Sequence, residues 1–280
     1  MRTFIDLYLQ HHVAQLTVAR EMTGTIHHYF GPLHDITLAD LAPLQIEAWF
    51  HGIGATSPSM ANKCLSILRT MFEKAKDWRV FMGNNPAQRI KKYKETSRKR
   101  FIQPHEMPQL MAALQREHEE TQCYFLLCLL VGCRRTEGLT LRWQDLDLIT
   151  GLWHKLHTKT DRAQTVPVPL ALLRRLNALP RRNEFVFATA KGHWSTSLAF
   201  ERWQVIRTAA GLPDVTIHDL RRSCASWMAC NGENLAIIGN VLNHSGLAHT
   251  AVYARLNVSP VSRALEANSR RMLGSAIKTW

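Results

Sequence analysis

In TIHDLRRSCASW, residues 216–227, a histidine and two arginines crowd the first turn of an amphipathic helix. His218 and Arg221 are three apart, so their directions differ by roughly 60° and both reach one ligand near the helix start, where unpaired N–H groups already favour an anion. A phosphate suits that geometry. Thr216 and Asp219 form a capping-box pattern, and Leu220, Cys224, Trp227 and Met228 supply a buried stripe. Taken alone, the cluster also reads as a surface basic turn paired to a carboxylate. Three other stretches carry groups of related chemistry. GCRRTEGLTLRW sets Arg134 at a glycine turn with Glu137 three residues on, HTKTDRAQTVPVP sets Lys159 at a hairpin tip, and LNHSGLAHTAVYARL sets His244 nine residues before Tyr253.

The elements that must hold these residues follow from periodicity. Residues 4–16, 19–29, 38–50 and 58–78 read as helices with short connections, closed by turn chemistry at Asn84, Asn85 and Pro86. A basic stretch with few apolar residues follows, from Arg89 to Arg100. Beyond it, Pro104 opens a helix to Leu114, and 121–131 is a buried helix leading into the Arg134 turn. The pattern then alternates: residues 151–170 read as a β-hairpin turning at 160–163, and EFVFATA as a short strand. Helices return over about 216–230, 234–242, 247–256 and 260–272.

Composition bounds the function. The chain has 280 residues, 46% of them hydrophobic, enough for one large domain or two ordinary ones. Its longest apolar run, 123–133, falls short of the roughly 20 residues of a membrane span, and the N-terminus lacks the apolar stretch of a signal peptide, so a cytoplasmic protein without membrane partners is expected. The six cysteines are then reduced thiols in core or neutral positions. Cys123, Cys128 and Cys133 match no zinc spacing, and the His11–His12 and His27–His28 pairs lack ligand partners, so no metal is expected. Lys and Arg number 35 against 22 Asp and Glu, a formal net charge of +13, which points to a polyanion as partner.

In G-x-R-x-[ST]-E, the hairpin K-T, H-D-L-R-R, L-x-H-S and a tyrosine nine residues later, in that order, the chain resembles the tyrosine recombinases, the phage integrase family. The resemblance implies that Arg134, Lys159, His218, Arg221 and His244 surround a scissile DNA phosphate and that Tyr253 attacks it. A phenol of pKa near 10 needs a base or nearby cations, supplied by His218 or the surrounding positive charge. Arg134 and Arg221 match the planar charge of the transition state, His244 donates one more hydrogen bond, and Lys159 protonates the leaving 5′ oxygen. Lys155 lies nearby and competes with Lys159 for that assignment. Glu137 reads as a partner that orients Arg134 or caps a helix, and Arg135 and Arg222 stand outside the catalytic set. Asn243 replaces the glycine usual before the histidine, altering the turn that aims His244.

The implied fold is mainly α with a small β-sheet (α+β). It comprises a helical, SAM-like core-binding domain over 1–88, a basic linker over 89–101 and a mixed catalytic domain over 102–280 with a C-terminal tail. The implied partners are double-stranded DNA, three further copies of the chain on it, and accessory DNA-bending proteins, the free chain being monomeric. Strand exchange would pass through a Holliday junction without cofactor, metal or ATP, and the tail would dock on a neighbour. The chain opens at the core-binding helices, as a simple recombinase or as a fragment of a longer integrase. Two other classes share the fold's logic: a DNA-binding protein without cleavage, and a DNA-relaxing enzyme of the type IB topoisomerase kind.

Overall fold

The computed structural model describes residues 1–16, 18–95, 98–155, 163–244, 246 and 250–254. The chain divides into two units, Met1–Arg98 and Lys99–Trp280.

The first unit is helical: α1 (Arg2–His11), α2 (Ala19–Tyr29), α3 (Pro43–Thr56) and α4 (Pro58–Asp77). Ser57 starts α4 by accepting a hydrogen bond from the Met60 amide, with Pro58 at the first helical position. Ala61, Cys64, Leu65, Leu68, Met71, Phe72 and Ala75 recur at three- and four-residue steps along α4 and are fully buried. The expected first and third helices differ from those observed. The 4–16 segment is α1 followed by a 3₁₀ turn at Val13–Gln15, and the third helix begins at Pro43 rather than 38 and runs on to Thr56. Pro43 explains the shift, because proline suits the first turn and is excluded from the interior. The basic stretch is not a bare tether at its start. Ile90 is buried, the Tyr93 ring stacks on Phe50 at 4.7 Å, and Asn62 bonds both the amide and the carbonyl of Tyr93.

The second unit is built around α6 (Glu119–Leu130), which is buried on nearly every side and accordingly lacks a polar face. Against it pack α8 (Leu170–Asn177) and α10 (Ile217–Cys230), while α5 (Met107–Leu114) lies on α9 (Thr196–Ala209). Tyr124, Phe125, Phe187, Trp194 and Trp203 form its aromatic core. A short α7 (Arg135–Leu139) follows α6. Three antiparallel strands, β1 (Leu146–Asp147), β2 (Leu152–Lys155) and β3 (Gln164–Pro167), are ordered β1-β2-β3, with Trp153 opposite Val166 and Lys155 opposite Gln164. Residues 156–162 between β2 and β3 lie outside the described residues. The expected strand at EFVFATA is smaller than its composition promised: only Ala188–Thr189 (β4) pairs, with Gly192–His193 (β5), and Phe185 makes a lone bridge to Arg142. The segment is split between two partners, Glu184 and Val186 bonding the backbone of Trp143 and Leu141 and Phe187 that of Trp194, while Asn183 bonds the Phe185 amide and the Thr189 and Gly192 carbonyls. The last described helix is α11 (Leu235–Val241). With α10 it buries Ala225, Ala229, Ile238 and Leu242 around Tyr253. The helix expected over 260–272 lies outside the described residues, and of that expected over 247–256 only 250–254 are described, with Thr250 and Ala251 helical and turns after them.

Candidate active site

The Arg134 turn is made by its backbone. Gly132 sits at φ +64°, and a Cβ there would stand 3.0 Å from Leu242 Cδ2 and 3.1 Å from Cys224 Sγ, so only glycine allows both the turn and the approach of α10 and α11. Arg134 then caps α7. Its amide donates to Glu137 Oε2 at 3.1 Å, its Nη1 to Glu137 Oε1 at 2.6 Å, and its Nη2 to the Asn243 carbonyl at 3.1 Å. Glu137 therefore orients Arg134 and caps the helix at once.

Arg221 is delivered from the other side by α10. Thr216 Oγ1 caps that helix at the Asp219 amide, and fully buried Asp219 accepts from the Thr216 amide and hydroxyl and from Arg222 Nη1. This is the expected capping box, and it fixes the start of α10. The buried Arg221 side chain donates from Nη1 to the Gly132 carbonyl at 2.6 Å and from Nη2 to the Leu242 carbonyl at 2.5 Å. Its pKa is pushed down from the guanidinium's ordinary value by burial and then by the positive charge of Arg134, against the pull of Glu137 and Tyr253. Arg134 and Arg221 thus hold adjacent carbonyls, those of Asn243 and Leu242, and each spends two of its five side-chain N–H groups on these anchors. Two like charges gathered at one helix end make a place where an anion is stabilised.

The end of α11 also aims His244. The His244 amide donates to the Gly239 carbonyl and the Asn243 amide to the Asn240 carbonyl, both at 3.0 Å, with Asn243 at φ +48°. This is a Schellman closure, and it needs a residue at positive φ at the position where Asn243 stands. Asparagine reaches that region better than other non-glycine residues, which is why it substitutes for glycine without losing the turn. His244 Nδ1 lies 2.8 Å from Thr250 Oγ1, which fixes the ring's rotation.

His218 is exposed on the first turn of α10, three residues before Arg221. The protein packed behind it, then Arg222 and Arg221, lower its pKa below the ordinary value, so its imidazole is neutral at pH 7 and able to accept a proton. Tyr253 is packed in the cluster of α10 and α11. Burial raises its pKa above the ordinary phenol value, while the positive charges of Arg222 and Arg221 act in the opposite direction. Arg134, Arg221, His218, His244 and Tyr253 all belong to this one region. Lys159 lies outside the described residues. Lys155 does not: its side chain is 3% exposed, its Nζ donates to Glu137 Oε2 at 3.2 Å and sits 4.3 Å from the Trp153 ring centroid. Lys155 is therefore a buried counterion of Glu137. Sequence reasoning passed over this role, though strand alternation puts Lys155 on the same face as buried Trp153.

A model of the family described as "Phage integrase family" matches residues 100–259. A putative prophage phiRv2 integrase of Mycobacterium tuberculosis is 25% identical over 241 residues, which is 78% of this chain and 64% of that protein. A tyrosine recombinase of Thermosipho africanus is 29% identical over 177 residues, 60% of this chain and 62% of that protein. Among solved structures, a lambda integrase tetramer bound to a Holliday junction shares the fold with a TM-score of 0.72 at 17% identity, covering 87% of this chain and 77% of that one. The chain spans less than two thirds of the length of the curated relatives it matches.

Proposed function

The chain belongs to the phage integrase family, and from that premise we propose that it is a site-specific DNA recombinase that cuts and rejoins strands through a 3′-phosphotyrosine intermediate. The observation that carries this reading is the convergence of Arg134 and Arg221 on adjacent carbonyls at the end of α11, one residue before His244. Tyr253 Oη attacks the scissile phosphorus and its proton passes to neutral His218. The P–O5′ bond breaks, and the 5′ oxygen leaves with a proton from Lys159. The two guanidiniums and His244 stabilise the non-bridging oxygens as charge builds there. Attack by the 5′ hydroxyl of a second strand reverses these steps and releases Tyr253. The phosphotyrosine ester conserves the energy of the diester, so no nucleotide is consumed.

In this reading the unit Met1–Arg98 is the core-binding DNA clamp, the second unit the catalytic one, and the basic stretch between them crosses the DNA backbone. Four copies act on two duplexes, with the segment after Tyr253 docking on a neighbour and accessory DNA-bending proteins assisting. The protein works in the cytoplasm on the DNA of its host. No helix among the described residues is long and apolar enough to cross a membrane.

A nicked suicide duplex carrying the flanking DNA of the gene tests the proposal. A covalent 3′ adduct is expected, lost on Tyr253→Phe, together with products that join two duplexes. Absence of any adduct would leave only a DNA-binding protein, and relaxation of a supercoiled circle carrying the same DNA without joined duplexes would make it a topoisomerase.

A further inference from the structure

The end of a helix leaves carbonyls without intrahelical partners, and those at the end of α11 lie where Arg134 and Arg221 meet. Uncovered, they would repel an anion held by the two guanidiniums. Two of the carbonyls, those of Leu242 and Asn243, are covered by Arg221 and Arg134. The preceding two belong to Asn240 and Val241, and both are covered by one neutral side chain from a different element: Gln164 Nε2, on β3, donates to the Asn240 carbonyl and, at 3.3 Å, to that of Val241. Gln164 Oε1 is buried and has no partner in the described residues, so the amide is held by its donor side alone. Opposite Gln164 across the hairpin stands Lys155, bound to Glu137, which holds Arg134. Directly paired residues of antiparallel strands project to the same face. One cross-strand pair therefore braces both the arm that carries Arg134 and the turn that carries His244.

We propose that Gln164 is a positioning residue of this site, fixing the carbonyl end of α11 so that the Schellman turn presents His244 to the phosphate, a role that rests on the recombinase reading above. It does not touch the reacting atoms. Its effect reaches them through the Asn240 carbonyl, which also receives the Asn243 amide of the turn. Without Gln164 the Asn240 and Val241 carbonyls each lose a side-chain donor, so the turn loosens where His244 leaves it.

Three variants of the full chain separate this role from a general loss of structure. Gln164→Leu removes the donor, Gln164→Glu replaces it with a negative acceptor, and Gln164→Lys keeps a donor. Single-turnover cleavage of the suicide duplex is expected to fall about tenfold to a hundredfold in Gln164→Leu, since small misplacements of a catalytic group cost rates of that order. The loss should be larger in Gln164→Glu and should recover to within about threefold of the native rate in Gln164→Lys. Combined with His244→Ala, Gln164→Leu should add nothing further, because the two act as one unit. Amide hydrogen exchange over residues 240–244 in the absence of DNA reads the brace independently of catalysis, and is expected to accelerate in Gln164→Leu but not in Gln164→Lys. Unchanged exchange would overturn the proposal whether or not the chain cleaves DNA. Defects that multiply with His244→Ala, or equal rates in Gln164→Leu and the native chain, would also overturn it. If the native chain forms no adduct at all, the recombinase reading falls, while the exchange result still decides whether Gln164 holds the turn.

Discussion

Replacing Glu137 by glutamine tests the charge arrangement beneath Arg134. The carboxylate accepts from the Arg134 amide, from Arg134 Nη1 and from Lys155 Nζ, and its side chain is only 8% exposed. The ammonium of Lys155, 3% exposed, would be left without its counterion. Removing one partner of a buried ion pair typically costs about 3–5 kcal/mol. Glutamine retains one acceptor oxygen, so a loss of about 2–4 kcal/mol is expected at pH 7. Urea denaturation of the full chain, followed by tryptophan fluorescence, measures it, Trp153 lying directly beneath the ammonium. The pH dependence has a defined sign. Burial opposes ionisation of Glu137, but Lys155 and Arg134 outweigh it and hold the pKa below the ordinary carboxylate value. A lowered folded-state pKa gives stability that is fully present above the unfolded value and is lost as pH falls through the folded one. The difference between native and variant should therefore be largest near neutrality and shrink below about pH 4. A loss below about 1 kcal/mol at pH 7, or a difference that does not shrink as the pH falls from about 7 to about 3, would refute the assignment of Glu137 as counterion.

Asn243→Gly should leave cleavage within about threefold of native and Asn243→Ala should destabilise the chain by about 1 kcal/mol, because φ +48° is open to glycine and strained for alanine; thermal unfolding and the suicide-duplex assay check both. Arg221→Lys should lower the cleavage rate by about 10²–10³-fold, since one ammonium cannot reproduce the fork that joins the Gly132 and Leu242 carbonyls. The acidic limb of the cleavage pH profile should lie below the ordinary histidine pKa and vanish in His218→Ala, because burial and the flanking arginines favour the neutral ring. A limb that persists in that variant would remove His218 from the role of base.

Much of the site was legible because its parts are local. Thr216 and Asp219 announce the start of α10, and the run from Gly132 to Glu137 announces a turn and a cap within six residues. The need for positive φ before His244 came with the family resemblance, which puts a glycine where Asn243 stands. What escaped the sequence depends on contacts between distant segments. Lys155 reads as a rival of Lys159 until Trp153 and Glu137 are seen to enclose it, and Gln164 has no pattern that announces its reach to α11. Two helices of the second unit, α8 and α9, were also passed over. In α9 the buried residues Ala199, Trp203 and Ile206 carry the needed spacing, but charged and β-branched neighbours obscured it. EFVFATA erred the other way, its β-branched and aromatic content promising a strand that is split between two partners.

The bonds from Arg221 to the Gly132 and Leu242 carbonyls have a consequence for biosynthesis. A growing chain emerging from the ribosome carries Arg134 more than a hundred residues before the carbonyl that anchors it is translated. Until that late segment arrives, neither guanidinium has its carbonyl seat at the end of α11, so this part of the site closes only when the last stretch of the second unit has been made.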